Sequence, residues 1–250
     1  MSDFDESKNI KISVIVPTLN EEKLIGRFVS QFNNSLKKKY KFEIIVSDGG
    51  SRDATLSLLN GQIDSLVEHK ENFKQNISRG RNQGALKSRG EVLVFLNADT
   101  CISDVDKFFY KIEKFMTESN VAALTCPIKV FPEEQILMDK IFHFCYNNYV
   151  RLLNKIMMGM GRGECHIIKK EFFEKVNGYN EKLNAGEDFE LFTRLRKFGK
   201  IKIMNDVTVY ESPRRYRKFG YRSVFWDWTK NSIWITVFKK SISKEWIEVR

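Results

Sequence analysis

The sequence predicts an α/β fold with a mostly parallel central sheet flanked by helices. Over the first hundred residues, short apolar runs alternate with segments of helical periodicity, which is typical of βαβ units. The run at residues 92–96 is continuously apolar, as in a strand buried on both faces. Polar residues follow it at once, and the run at residues 42–46 ends in the same way.

The N-terminal half contains three predicted strands and three predicted helices. Each strand is a short run with β-branched residues, and each helix has apolar residues at helical spacing. The predicted order is a strand at 12–17, a helix from 20 to 32, a strand at 42–46, a helix through 56–59 capped by Ser51 or Asp53, a helix at 76–87 and a strand at 91–96.

The C-terminal half is less regular. Its predicted elements are a helix at 105–116, a strand at 121–126, a long amphipathic helix at 135–156, a short strand at 165–168, a helix at 188–198 and an extended run at 201–210. No linker or repeat divides the chain. Residues 1–220 are therefore predicted as one domain, and residues 221–250 as an amphipathic, aromatic and basic helical extension of the same compact unit.

Composition limits the class of protein. The 42 Lys and Arg against 32 Asp and Glu give a net charge of +10, which suggests an anionic partner. The acidic N-terminus lacks the order of a signal peptide, and no stretch approaches the ~18 uncharged apolar residues that span a bilayer. The four cysteines are widely spaced, which predicts reduced thiols in a cytoplasmic protein rather than a zinc site.

Polar residues at the strand ends suggest a ligand site. Ligands of parallel α/β sheets bind beyond the carboxyl ends of the strands, and right-handed crossovers place those ends on one edge. Thr18, Asp48 and Asp99 should therefore line a common crevice. Asp99 there suits a hard divalent cation held against a phosphate, although Asn97 and Asp99 also suit a simple polar turn.

Two further segments have side chains suited to a nucleotide. In the turn at residues 48–53, Gly49 permits close backbone approach, and Asp48 can accept hydrogen bonds from a ribose diol or a base edge. This turn is not G-x-G-x-x-G, so a nicotinamide dinucleotide is not favoured. Arg81 lies early in a predicted helix, where its fork suits diphosphate oxygens.

Together, residues 17–21, the Asp48 turn, residues 80–82 and residues 97–99 resemble the family 2 glycosyltransferases, which have the GT-A fold. The motifs occur in the family's order and with family-like spacing, within residues 11–220. The resemblance implies an inverting transferase that uses a nucleotide-diphosphate sugar and a divalent metal, Mg²⁺ or Mn²⁺. It leaves open whether the nucleotide is UDP or GDP.

The resemblance also implies roles for individual residues. The implied donor-binding set is Pro17, Thr18 and Glu21 at the nucleoside, Asp48 and Gly49 at the base or ribose, Arg81 at the base or phosphates, and Asn97 and Ala98 beside them. Asp99 is the implied metal ligand of the family's D-x-D element. Asn97 replaces the first acid of that element, and residues 204–221, where the family often supplies a histidine ligand, contain none.

Glu187 and Asp188 open a predicted helix where the family has its E-D pair. An inverting transfer needs a general base beside the acceptor hydroxyl. The resemblance implies Asp188 as this base and Glu187 as a neighbour that contacts or orients the acceptor. Because a helix dipole lowers the pKa of such a carboxylate, burial or the acceptor must supply part of its basicity.

Two more segments complete the predicted site. Gly163 and His166 lie where the family borders its acceptor, and His166 is interpreted as structural rather than catalytic. Arg214 and Arg215 begin the densest basic cluster, interpreted as a mobile loop that closes over the donor diphosphate or meets anionic lipid head groups. A solvated loop with no ligand is the remaining interpretation.

The sequence thus predicts an inverting glycosyltransferase acting on an acceptor hydroxyl or a lipid phosphate. Asn97 and the missing histidine keep open a non-catalytic nucleotide-sugar-binding protein of the same fold. Nucleic-acid binding is not expected, because the net charge is the only feature of the sequence that favours it. The expected location is cytoplasmic, with peripheral contact at the inner face of the membrane. The aromatic tail is equally suited to packing on the sheet or on a second copy in a homodimer.

Overall fold

The computed structural model describes residues 10–59, 61–73 and 75–238. The acidic residues 1–6 and the last part of the predicted extension, residues 239–250, lie outside this range. The described strands are β1 Ile12–Thr18, β2 Phe42–Asp48, β3 Ser65–Glu68, β4 Val92–Leu96, β5 Thr100–Ile102, β6 Val121–Thr125, β7 Ile128–Val130, β8 Cys165–Lys169, β9 Lys200–Ile203 and β10 Val209–Glu211.

Seven of these strands form the central sheet, in the order β3-β2-β1-β4-β8-β6-β9. β8 is antiparallel to both of its neighbours, and the other adjacent pairs are parallel. The predicted mostly parallel sheet is confirmed. Because β1, β2 and β4 run in the same direction, the loops that follow them meet at one edge.

Helices pack on both faces of this sheet. They are α1 Ile25–Ser30, α2 Asn34–Tyr40, α3 Ile77–Lys87, α4 Val105–Met116, α5 Leu137–Lys155, α6 Lys170–Lys175, α7 Glu187–Leu195, α8 Arg214–Phe219 and α9 Tyr221–Phe238. Side chains alternate along β1, so that Val14 and Val16 join the cluster of Phe108, whereas Ile15 joins that of Leu191. Burial on both faces explains the continuous apolar runs of the sequence.

A second, three-stranded sheet has the order β5-β10-β7. β10 is antiparallel to β5 and pairs Glu211 with Thr100, the residue after Asp99. This small sheet therefore fixes the segment around Glu211 and Arg214 next to the end of β4.

The prediction for residues 20–59 was wrong in two places. Asn20 has a positive φ of 54°, and the first helix spans only Ile25–Ser30. Asn33 accepts a hydrogen bond from the backbone N–H of Leu36 and so starts a separate helix. Residues 51–59 form only a 3₁₀ turn, Ser57–Leu59, since Asp53 holds the local turn by accepting from Thr55.

The C-terminal half also differs from the prediction. The extended run at 201–210 is two strands, β9 and β10, in different sheets. The basic cluster at 214–218 is not a loop but helix α8, whose Tyr216 is buried. The predicted extension begins with α9, where Trp228 packs beside Tyr146 and Phe142 of α5. Aromatic packing on the protein thus holds the described part of the extension.

Gly84 allows α3 to lie close to β1. A Cβ atom at Gly84 would come within 2.5 Å of Cγ2 of Ile15. We expect Gly84→Ala to destabilise the fold by about 1–3 kcal/mol through overpacking. Gly26→Ala is the control, because a Cβ atom there meets nothing within 4 Å and alanine favours the helix. Urea denaturation of both variants tests this, and equal stabilities would contradict it.

Candidate functional site

A cavity of about 400 Å³ lies beyond the carboxyl ends of β1, β2 and β4. Segments from most of the described chain, from Pro17 to Ser232, line it. Thirteen of the fifteen site residues predicted from the sequence are among its lining residues: Pro17, Thr18, Glu21, Gly49, Arg81, Asn97, Ala98, Asp99, Gly163, Glu187, Asp188, Arg214 and Arg215. The remaining two, Asp48 and His166, are not.

Asp48 lies behind the cavity wall instead of on it. Its side chain is buried and accepts hydrogen bonds from the backbone N–H groups of Gly50 and Ser51, both at 2.8 Å. The hydroxyls of Ser51 and Thr18 also donate to it, at 2.5 and 3.2 Å. Asp48 thus holds the turn that places Gly49 and Thr18 at the wall, and its implied contact with a base or ribose stays a prediction.

At the end of β4, Asp99 is ion-paired with an arginine of α8. Arg214 Nη2 lies 2.9 Å from Asp99 Oδ2, and 2.7 and 2.9 Å from the two carboxylate oxygens of Glu21. The basic cluster is therefore a fixed part of the cavity wall in this structure. One guanidinium group joins the first predicted motif to the D-x-D position.

Arg81 connects three of the predicted motifs. It is 1% exposed, and its Nη1 donates to Glu187 Oε1 at 2.9 Å. Its Nη2 donates to Asn97 Oδ1 at 3.1 Å and to the carbonyl of Gly163 at 2.6 Å. The guanidinium group implied to bind the donor is thus bonded mainly to the protein, and it sets the positions of β4, α7 and the Gly163 segment.

Asp188 lies on the cavity wall at the start of α7, where it is partly exposed. Its Oδ1 accepts from the backbone N–H of Phe189. Burial, followed by the negative charge of Glu187, raises the pKa of Asp188 to about 7. A carboxylate with such a pKa can take a proton from a reacting group near neutral pH.

A second carboxyl pair, Glu164 and Glu211, also lines the cavity. Glu164 and Glu211 are hydrogen-bonded to each other, and Arg162 Nε lies 3.2 Å from Glu164 Oε2. Burial and the charge of Glu164 raise the pKa of Glu211 well above its ordinary value. Burial opposes ionisation of Glu164 as well, but the charge of Arg162 lowers the pKa of Glu164. Burial thus disfavours ionisation of Glu211, whereas the charge of Arg162 favours ionisation of Glu164.

His166 is a core residue of β8. It is fully buried, and its Nδ1 lies 2.7 Å from the hydroxyl of Tyr179. Burial lowers the pKa of His166 well below its ordinary value, so it stays neutral. The structural interpretation of His166 agrees with this position, whereas the neighbouring Gly163 reaches the cavity.

Sequence reasoning missed several residues of the cavity wall. Arg162 and Glu164 lie in a segment that the motifs singled out, but no role was assigned to them. Glu211 and Trp228 were missed entirely. Only one feature of the sequence points to Glu211: its position as a charged residue at the end of an extended run, directly before Ser212 and Pro213.

The residues present fit a divalent cation only in combination with a bound phosphate. Within the described ranges, no group of three or more His, Cys, Asp or Glu side chains could hold a metal. Mg²⁺, however, commonly takes one or two carboxylates together with substrate phosphates. Six carboxyl groups and four guanidinium groups line the cavity, so a bound diphosphate would need additional positive charge.

The architecture defines a mixed α/β protein with a cavity beyond the carboxyl ends of its parallel strands. Residues 13–177 match the model of Glycosyl transferase family 2, and the chain belongs to this family. Solved structures confirm the GT-A fold. A mannosyltransferase from Pyrobaculum calidifontis, solved with GDP-Man and Mn²⁺, is 21% identical with a TM-score of 0.67, covering 92% of this chain and 63% of that one.

Two further relatives extend the comparison. TarS from S. aureus, solved with UDP-GlcNAc, is 19% identical with a TM-score of 0.59, covering 81% of this chain and 58% of that one. A dolichyl-phosphate beta-glucosyltransferase of Saccharomyces cerevisiae is 30% identical over 139 residues, which are 51% of this chain and 42% of the relative. The chain spans less than half the length of the curated relatives it matches.

Two observations concern the helices and the cysteines of the described residues. None of the helices in the described part of the chain is long and apolar enough to cross a membrane. Cys101, Cys126, Cys145 and Cys165 are all free thiols, as predicted from their spacing.

Proposed function

We propose that the chain is an inverting glycosyltransferase that moves a sugar from a nucleotide-diphosphate donor, linked to UDP or GDP, to an acceptor hydroxyl. The observation that carries this proposal is the single cavity that joins Thr18, Glu21 and Asp99 to Asp188. The first three lie where the family binds its donor, and Asp188 has a pKa of about 7.

In the proposed reaction, Asp188 accepts the proton of the acceptor hydroxyl. The acceptor oxygen forms a bond to the anomeric carbon, and the bond from that carbon to the diphosphate oxygen breaks on the opposite side. In-line displacement inverts the anomeric centre. Glu187 is held by Arg81 and so orients α7 beside the acceptor.

Arg214 and Arg215 face the donor end of the cavity and would stabilise the negative charge of the departing nucleoside diphosphate. Asp99 would hold Mg²⁺ or Mn²⁺ together with diphosphate oxygens, and the bound cation supplies further positive charge there. The ion pair between Arg214 and Asp99 would have to rearrange for this, because both groups then meet the diphosphate.

Thermal unfolding with nucleotides tests the donor site. We expect UDP or GDP with Mn²⁺ to raise Tm, since a ligand at a hundred times its Kd stabilises by about 2.7 kcal/mol. Asp99→Asn should remove the Mn²⁺-dependent part of this rise. Asp206→Asn is the matched control, because Asp206 pairs with Lys111 outside the cavity.

Product analysis then separates the two interpretations of the site. Release of nucleoside diphosphate together with a glycosylated acceptor supports a transferase. Nucleotide binding without Mn²⁺ and without turnover of any donor or acceptor would instead support the non-catalytic binding protein. The ion-paired state of Asp99 and the asparagine at position 97 are the observations that favour this second function.

A further inference from the structure

The outer side of α5 and of the turn after it exposes a large apolar surface. Between residues 136 and 158, ten large apolar side chains are each exposed by about two fifths or more: Ile136, Leu137, Met138, Ile141, Phe144, Tyr149, Leu152, Ile156, Met157 and Met158. Phe144 is 71% exposed and Leu137 is 70% exposed. We call these ten residues the outer α5 face.

The fold does not need this surface for its core. α5 already buries an inner stripe that includes His143, Tyr146, Val150 and Leu153. A helix on the surface of a soluble protein normally carries polar residues on the side opposite its buried stripe. Contiguous exposed apolar patches of this kind mark surfaces that bind a partner or a membrane.

The exposed charges on α5 itself are positive. Lys140 and Lys155 are exposed on α5, and Arg151 is partly exposed. The one acidic residue of α5, Asp139, is fully buried and pairs with Arg217. No exposed carboxylate therefore lies on this helix, in a chain whose net charge is +10.

We propose that the outer α5 face docks on an anionic lipid bilayer, with α5 lying in the plane of the interface. Its apolar side chains would enter the acyl boundary, and Lys140 and Lys155 would meet the lipid phosphates. A second copy of the chain fits less well, because a symmetric contact brings the same lysines towards each other without carboxylates between them. The proposed membrane contact is therefore made by α5.

This surface lies next to the cavity along the chain. Met157 and Met158 are exposed, whereas Met160 is buried and lines the cavity. A docked α5 would hold the cavity close to the interface, within reach of an acceptor anchored in the lipid. This consequence for the acceptor rests on the proposed function, but the docking itself does not.

Vesicle flotation with the full chain tests the docking. We expect binding to phosphatidylcholine vesicles that contain phosphatidylglycerol, and weaker binding to phosphatidylcholine alone or at high salt. Phe144→Glu and Leu152→Glu should each lower the partition coefficient by about tenfold or more, since each removes a large inserted side chain. Leu86→Glu is the matched control, because Leu86 is 85% exposed on α3, apart from the outer α5 face.

Charge-reversal variants measure how much the lysines of α5 contribute to vesicle binding, separately from the inserted apolar side chains. Lys140→Glu combined with Lys155→Glu should remove the preference for phosphatidylglycerol, whereas Lys38→Glu, an exposed lysine on α2, should leave most of it. Unchanged Tm and nucleotide-induced Tm shifts in these variants would show that the fold and the donor site are intact. A lower Tm in these variants would indicate a damaged fold, and a lost nucleotide-induced Tm shift would count against the proposed function; neither result would count against docking.

Two results would overturn the proposal. The first is wild-type protein that does not float with anionic vesicles, or floats equally well in the Phe144→Glu variant. The second is a dimer, seen by analytical ultracentrifugation, that Phe144→Glu converts to a monomer with no vesicle binding in either form. That result would assign the outer α5 face to a second copy of the chain.

Discussion

Asp188→Asn is expected to lower sugar transfer to a hydroxyl acceptor by about 10²–10⁴-fold while donor binding persists. The amide cannot accept the hydroxyl proton, but it keeps the size of the side chain. Glu190→Gln is the matched control, because it removes a carboxylate of the same helix that pairs with Arg194. Initial rates and nucleotide-induced Tm shifts measure the two properties separately.

The pH dependence of the transfer rate of the wild-type protein should reflect ionisation of Asp188. Because the base must be ionised and its pKa is raised to about 7, the rate should increase as pH rises through that value. An acceptor that is already ionised, such as a lipid phosphate, needs no base. Full activity of Asp188→Asn on a phosphate acceptor would therefore contradict the proposed acceptor class and the role of Asp188.

The same substitution should stabilise the protein at alkaline pH. A carboxyl group whose pKa is higher in the folded than in the unfolded state opposes folding once it ionises. Below the ordinary pKa of 3.8 wild type and variant should be equally stable, and the difference should grow as pH rises to about 7. At pH 8 the free energy of unfolding of Asp188→Asn should exceed that of the wild type by on the order of 2–4 kcal/mol. Urea denaturation at several pH values measures it, and no difference at pH 8 would contradict the raised pKa.

Arg81→Met is expected to destabilise the fold by about 3–5 kcal/mol, because it leaves a buried carboxylate without its partner. Glu187 is 7% exposed and receives a hydrogen bond from Arg81, as do Asn97 and the carbonyl of Gly163. Denaturant unfolding gives the free energy directly. Arg79→Met is the control, since Arg79 lies on the same helix as Arg81 and forms a more exposed ion pair with Glu181, typically worth less than about 1 kcal/mol.

Adding Glu187→Gln to Arg81→Met tests the reason for this loss. Removing the unpaired charge should restore part of the stability, so that the two substitutions together cost less than their sum. Strict additivity would show that Arg81 stabilises the fold by packing alone. It would also remove the argument that Arg81 orients α7 through Glu187.

The sequence predicted best where local pattern and burial agree. Val92–Leu96 is buried on both faces, so its apolar run identified both the strand and the polar residues after it. The helix over residues 105–116 was correct to the residue, because its four buried side chains have strict helical spacing and Asp104 caps it. Polar strand ends then predicted the cavity, since parallel strands bring those ends together.

Other contacts of the site were not visible in the sequence. The sequence did not show that Ser51, Gly50 and Thr18 donate to the carboxylate oxygens of Asp48. The basic run at 214–218 gave no sign that Arg214 pairs with Glu21 and Asp99, far away in sequence. The raised pKa of Glu211 was equally hidden, because it depends on burial and on the charge of Glu164.

The contact between Glu21 and Arg214 also has a consequence for synthesis of the protein. The two residues are 193 positions apart in sequence, yet their side chains meet at 2.7 Å. A nascent chain that has produced β1 and β4 carries Glu21 and Asp99 without their shared counter-charge until α8 leaves the ribosome. Because this pairing is long-range, the wall of the cavity at Glu21 and Asp99 is completed only after α8 has been synthesised, and the first βαβ units cannot complete it alone.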